Sequence, residues 1–349
     1  MGNNWWESPV QQVDRQSEKQ AEERQLQLTK PPGALGRLES LAIRLASMQG
    51  RVKPAIKNPF ITIFAADHGV AEMGVSAFPQ EVTAEMVRNF SRGGAAISVL
   101  ANSLGATLEV VNVGTVGSLE PLGGVVDARI SSGTKNLAQA PAMDRGELER
   151  ALGVGREAVE RAAGQGADIY IGGEMGIANT TSASAVAAAL LGERGASVVG
   201  AGTGLDSAGV SRKGEVIEQA LELHKDNLGS PMDILQNLGG FEVAALAGAY
   251  IKASQSGVPV LVDGFITSVA ALAAVRINSA VRGWLIFSHR SAEQGHGKVL
   301  DAMDANPLLD LGMRLGEGSG AAVAVPILQQ ACQLHGEMAT FGEAGVSEG

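Results

Sequence analysis

Apolar and polar positions change rhythm twice along the chain. The first fifty residues read as helical. Ser8 and Pro9 suit a helix start, and a polar helix is predicted from there to about Leu28, where Lys30-Pro31-Pro32-Gly33 stops it. A second helix follows, with Leu35, Leu38, Ala42, Leu45 and Met48 on one face. Short apolar runs then take over: Phe60–Ala66, Leu108–Val113, Asp168–Ile171, Ser197–Ala201, Val258–Val262 and Trp284–Ser288. Most lack polar alternation, as expected of strands covered on both faces. The stretches between them have room for crossover helices, for example Ser184–Leu191 and Glu215–Leu228. From about Asp301 the pattern is helical again, after which comes a Gly-rich loop at Gly312–Gly320. This alternation predicts an α/β fold with a parallel, doubly wound sheet of about six strands. The expected organisation is a helical segment over 1–58, an α/β core over 59–300 and a second helical segment over 301–349. The two ends are expected to build a small helical subdomain beside the sheet.

Composition narrows the function. Hydrophobic residues are 45% and charged residues 18% of 349, which excludes a disordered chain. Eight Phe, three Trp and two Tyr are too few for a stacking platform on single-stranded nucleic acid. The net charge is −10 and no Lys/Arg cluster stands out, so a polyanion-binding surface is disfavoured. An anionic ligand has to be held locally, by backbone amides and helix ends. The single cysteine, Cys332, excludes an intramolecular disulfide and a cysteine metal cluster, and suits the cytoplasm. The opening residues are polar and carry no apolar signal core. Val258–Val275 is mostly apolar, but Pro259, Asp263 and Gly264 make it strand, turn and buried helix rather than a membrane span.

In open parallel sheets ligands sit beyond the carboxyl ends of the strands. The residues after each predicted strand are the chemically loaded ones. They are Asp67-His68-Gly69, then Gly114, GGEMGIANTT (Gly172–Thr181), GTGLD (Gly202–Asp206), Asp263-Gly264 with Thr267 and Ser268, and HRSAEQGH (His289–His296). Gly, Asp, Asn and Ser also favour ordinary loops. In Gly172–Thr181 the glycines free the backbone, and Asn179, Thr180 and Thr181 can cap an Ala-rich helix. This is neither a GxGxxG nor a Walker loop, so a standard dinucleotide or NTP site is disfavoured. Glu174 would repel phosphate there, but could face a cationic ring or a developing oxocarbenium ion; an exposed loop glutamate is the other reading. Lys213 follows the Gly202-Thr203-Gly204 turn and reads as a phosphate counter-charge or a solvated lysine. His289 and His296 are seven apart and Asp67-His68 forms another pair, but without HExxH or clustered carboxylates no metal is expected. His224 and His335 read as structural or exposed. Glu317 is bracketed by glycines in LGEGSGAA (Leu315–Ala322), where a flat ring could approach closely, and Ser319 could cap the next helix. A plain interhelix turn reads the same way.

The motif series resembles the nicotinate-nucleotide:dimethylbenzimidazole phosphoribosyltransferase family of cobalamin lower-ligand synthesis. The matching stretches are KPPGALGRLE (Lys30–Glu39), ADHGV (Ala66–Val70), GVSAFPQEVT (Gly74–Thr83), NFSRGGAAI (Asn89–Ile97), GTKN (Gly133–Asn136), GEMGIANTTSASA (Gly173–Ala185), GTGLD, LGGFEVAALAGA (Leu238–Ala249), HRSAEQGH and LGEGSGAA. They run in the family's order from about residue 30 to 322. The resemblance implies a Rossmann-like sheet with a small helical domain, a homodimer, and no metal or redox cofactor. It implies transfer of phosphoribose from nicotinate mononucleotide to 5,6-dimethylbenzimidazole, with inversion at the anomeric carbon. Glu317 would be the general base. Glu174, Gly176, Gly202, Gly204, Lys213, Asp263 and Ser291 would contact the nucleotide. Ser76 and Gln80 would contact the benzimidazole, with Met313 and Leu315 as apolar wall.

Two other classes stay in view. A sugar-phosphate hydrolase or nucleoside phosphorylase of similar fold would release nicotinate without any benzimidazole. A non-catalytic nucleotide sensor would bind without turnover, although Glu317 among glycines is an odd residue for a pure binder.

Overall fold

The computed structural model describes residues 4–202 and 204–347. Its sheet has six parallel strands: β1 (Pro59–Ala66), β2 (Thr107–Gly114), β3 (Val125–Asp127), β4 (Ile169–Met175), β5 (Val260–Val262) and β6 (Leu285–Phe287). Their order is β3-β2-β1-β4-β5-β6, so the sheet is Rossmann-like and its order reverses between β1 and β4. The helices, in chain order, are α1 (Arg15–Gln27), α2 (Arg37–Gln49), α3 (Glu81–Arg92), α4 (Ala96–Leu104), α5 (Arg145–Gly164), α6 (Asn179–Leu191) and α7 (Ser207–His224). They continue as α8 (Pro231–Leu238), α9 (Phe241–Ser256), α10 (Phe265–Ile277), α11 (His296–Asp301), α12 (Ser319–Glu337) and α13 (Phe341–Ala344).

Alternation along the strands divides the core. Phe60, Phe64, Val111, Tyr170, Val260 and Phe287 point to one face, under α5, α6, α9 and α10. Ile61, Ile63, Val110, Ile171, Leu261 and Ile286 point to the other, under α2, α3, α4 and α12. Both faces are therefore dry, which explains the unbroken apolar runs. On the first face α5 and α9 touch backbone to backbone: a Cβ at Gly155 or Gly248 would strike Ala245 or Leu152. On the second, the chain ends meet, with α12 packed on α2 and α2 on α1.

Three elements differ from the sequence expectation. Ser197–Ala201 is not a strand; Gly195–Ser197 is a 3-10 turn, after which the chain continues without joining the sheet. The sixth strand is instead β3, a three-residue edge strand paired with β2 and too short, behind Gly123-Gly124, to show a pattern. The first helix starts at Arg15, not at Ser8-Pro9. Asp14 caps it, accepting from Gln16 and Ser17 amides. The segment before it is held away from helical form by Gln255 and Asn278, whose amides donate to Ser8 O, and by Trp284 Nε1, which donates to Gln11 O. Among the described residues no helix is long and apolar enough to cross a membrane; Val258–Val275 divides into β5 and α10.

Candidate active site

A cleft of about 360 Å³ opens at the carboxyl end of the sheet, beside the reversal between β1 and β4. Of the residues that the resemblance assigns to the substrates, Glu174, Gly176, Gly202, Asp263, Ser291, Leu315 and Glu317 line it. Lys213, Gly204, Ser76, Gln80 and Met313 stand outside its wall. Thr203 lies outside the described residues.

Glu174 is the penultimate residue of β4 and is buried in the cleft wall. Asn179, in the first turn of α6, donates its side-chain amide to the Glu174 carboxylate. Asn179 is thus not a helix cap as its sequence position suggested. The N-cap position belongs to Ala178, whose left-handed backbone (φ 72°) turns the chain into the helix and leaves the Asn179 amide free for the carboxylate. Burial, then the charges of Glu242, Asp263 and Glu317, push the Glu174 carboxyl up to about 8 against the pull of Asn179.

Glu317 stands opposite. It has a left-handed backbone, φ 62°, between Gly316 at 86° and Gly318 at 76°. Ser319, expected as a cap, is the first residue of α12, and its hydroxyl donates back to Gly316 O. Gly173 lets β4 lie against this turn, since a Cβ there would sit 2.7 Å from the Glu317 carbonyl. Burial raises the pKa of the Glu317 carboxyl, a hydrogen bond donated by the Ile97 backbone amide opposes that, and the charge of Asp263 adds to it. Among the described residues, its Oε2 has no hydrogen-bond partner.

Apolar side chains build one half of the cleft: Phe78, Val82, Met86, Met175 and Leu315. Phe78 and Leu315 remain 51% and 58% exposed, so this half is an open apolar slot. The motif reading missed Phe78, Val82 and Met86, although their spacing of four places them on one side of α3 and its approach. It also missed Arg314, on the cleft wall, whose guanidinium donates to Gly202 O at 3.2 Å.

Lys213 sits just behind the other half. It is fully buried, and its ammonium donates to Thr180 Oγ1 at 2.7 Å and Gly200 O at 3.3 Å. Burial lowers its pKa to about 8, opposed by Glu293. A Cβ at Gly202 would lie 3.1 Å from its Nζ, so only a glycine's width separates this cation from the cleft. Gln80 donates to His68 O at 2.8 Å, and the Ser76 hydroxyl accepts from Phe78 N at 3.3 Å. Both support the loop that carries Phe78. Met313 O accepts from Ala292 N, which pins the Arg314–Leu315 segment to the loop after β6.

Four of the five histidines are hydrogen-bonded to protein partners. His68 and Glu242 form a fully buried pair at 2.8 Å; burial opposes the charge on His68, but Glu242 and Asp67 raise its pKa overall. His296 accepts from Ser291 N at Nδ1, so its Nε2–H donates to Ser268. Burial, aided by His289 and Arg290, lowers its pKa to about 3 and keeps it neutral. His224 and His335 are buried structural residues, bonded to Leu137 O and to Gln25 and Val52 O.

A parallel sheet with glycine-lined helix starts and buried carboxylates around one cleft describes an α/β enzyme. A phosphoribosyltransferase family model matches residues 10–346, which makes it a phosphoribosyltransferase. Nicotinate-nucleotide–dimethylbenzimidazole phosphoribosyltransferase of Azotobacter vinelandii is 59% identical over 349 residues, all of this chain and 99% of the relative. That of Pseudomonas fluorescens is 58% identical over 348 residues, covering 100% and 99%. The crystal structure of the Thermus thermophilus protein of the same name superposes with a TM-score of 0.91 at 46% identity, covering 97% of this chain and 100% of that one. The chain belongs to the nicotinate-nucleotide–dimethylbenzimidazole phosphoribosyltransferase family.

Proposed function

We propose that the cleft transfers phosphoribose from nicotinate mononucleotide to 5,6-dimethylbenzimidazole, giving α-ribazole 5′-phosphate and nicotinate for cobalamin nucleotide-loop assembly. The observation that carries this reading is Glu317 Oε2, buried without a partner among the described residues beside an open apolar slot. In this reading a planar benzimidazole lies among Phe78, Met86 and Leu315, which line the slot, with its N–H toward that oxygen. Its other nitrogen attacks the anomeric carbon as the C–N bond to the pyridinium breaks. The bond electrons return to the ring nitrogen, so nicotinate leaves as a neutral pyridine ring bearing its carboxylate. The benzimidazole proton passes to Glu317. Nucleophile and leaving group occupy opposite faces of the ribose, and the β anomer becomes α.

The rest of the wall serves the nucleotide. Gly176 and Gly202 present backbone on the cleft wall, Ser291 offers its hydroxyl, and Lys213 and Arg314 supply positive charge near Gly202. Gly204 borders the same turn. Resemblance extends the proposal to a cytoplasmic homodimer, checked by light scattering.

The test mixes purified protein, nicotinate mononucleotide and 5,6-dimethylbenzimidazole and follows both products by chromatography with mass detection. Base-dependent ribazole phosphate with equal nicotinate is expected. Nicotinate alone would indicate a hydrolase, and binding without turnover a sensor.

A further inference from the structure

Asp263 is the buried group that connects the sheet to the Glu317 turn. It follows β5, is 2% exposed, and its Oδ1 accepts the Ala321 amide at 2.8 Å. The amides of Gly320 and Gly318 also act on this carboxylate, so three amides at the start of α12 are directed at it. This α12 start has no side-chain cap of its own; its N-cap residue is Gly318. The cap therefore comes from a strand end far away in the chain, on a different layer of the fold.

The turn needs such an anchor. Glu317 occupies a backbone region that non-glycine residues seldom adopt, and a strained residue persists only where its surroundings fix it. Gly173 fixes one side, by contact with the Glu317 carbonyl. Asp263 fixes the other, through the amides that follow. His289 backs the arrangement: its Nε2 is 3.6 Å from Asp263 Oδ1, and its ring fills the space a Cβ at Gly320 would take.

We propose that Asp263 is a positioning residue for the base, acting through α12 on Glu317, and not primarily a nucleotide contact. The inference rests on Glu317 being the general base. A misplacement of about 1 Å in such a group can cost about 10²-fold in rate.

The test is a double-substitution cycle read in steady-state kinetics. Asp263→Asn is expected to lower kcat about 10–100-fold with the KM for nicotinate mononucleotide unchanged within about twofold. In a Glu317→Gln background the same substitution is expected to cost less than about threefold, because the base it positions is already gone. An equal loss in both backgrounds, or a raised nucleotide KM at intact kcat, would overturn the proposal. Asp263→Ser, which keeps one acceptor, provides the same cycle should Asp263→Asn not fold. Glu317→Gln alone at near-normal kcat would reject the base reading itself, a separate result.

Discussion

α6 and α12 both begin behind a left-handed residue, Ala178 at φ 72° and Gly318 at φ 76°, and each brings a buried glutamate to the cleft. The turns are alike, but the carboxylates are not. Glu174 is bonded to Asn179 and crowded by Glu242, Asp263 and Glu317, and its pKa of about 8 keeps it protonated at neutral pH. Glu317 has an oxygen without a partner among the described residues, and an apolar slot in front of it. Two carboxyl groups in one cleft are thus given two roles by environment. In the proposed reaction the α12 side holds the base that accepts a proton; the α6 side holds a neutral carboxyl that does not repel an anionic nucleotide.

Breaking the α12 side has the largest expected effect. Glu317→Gln should lower kcat about 10²–10⁴-fold at saturating substrates while binding of both persists. The α6 side answers to Lys213 next. Lys213→Ala should weaken nicotinate mononucleotide about tenfold or more in calorimetry, since a charged hydrogen bond contributes about 1.5–3 kcal/mol. An unchanged Kd would remove Lys213 from phosphate binding.

Glu174 sharpens the contrast through pH. As it ionises above about pH 8, the nucleotide KM should rise severalfold, and Glu174→Gln should abolish that rise. Its stability contribution has a definite sign. The folded pKa of about 8 lies above the ordinary glutamate value of 4.5, so its stabilisation is present below pH 4.5 and lost as pH climbs toward 8. Glu174→Gln should therefore melt higher than the parent at pH 8–9, and less so near pH 5.

The smallest effect belongs to Thr83, which joins the apolar slot to the α6 loop. Its hydroxyl donates to Asp67 at 2.6 Å and accepts from Ile177 N at 3.1 Å. Thr83→Val removes both hydrogen bonds, each contributing about 1 kcal/mol to the loop rather than to the substrate, and should raise the KM for dimethylbenzimidazole only about twofold to threefold, which Thr83→Ser should restore.

Much of this was legible in the chain. The long buried strands declare themselves by unbroken apolar runs, and the rule that ligands lie beyond their carboxyl ends pointed to Glu174, Asp263 and Ser291, which line the cleft. What failed has physical causes. Ser197–Ala201 is as apolar as a strand, but nothing in its composition says that it lies off the sheet. β3 is stabilised by its neighbour rather than by its own three residues. The Asn179–Glu174 bond depends on an alanine in a left-handed conformation, a choice made by tertiary packing. Lys213 shows its residue type in the sequence but not that one glycine separates it from the cleft.

The most direct test is the pH dependence of kcat for the parent and for Glu317→Gln. With Glu317 as base, the parent should show an acid limb with an apparent pKa above the ordinary carboxylate value, because burial raises that group. The substituted enzyme should be slow and lack that limb. The same acid limb in both proteins would contradict the assignment of the proton to Glu317.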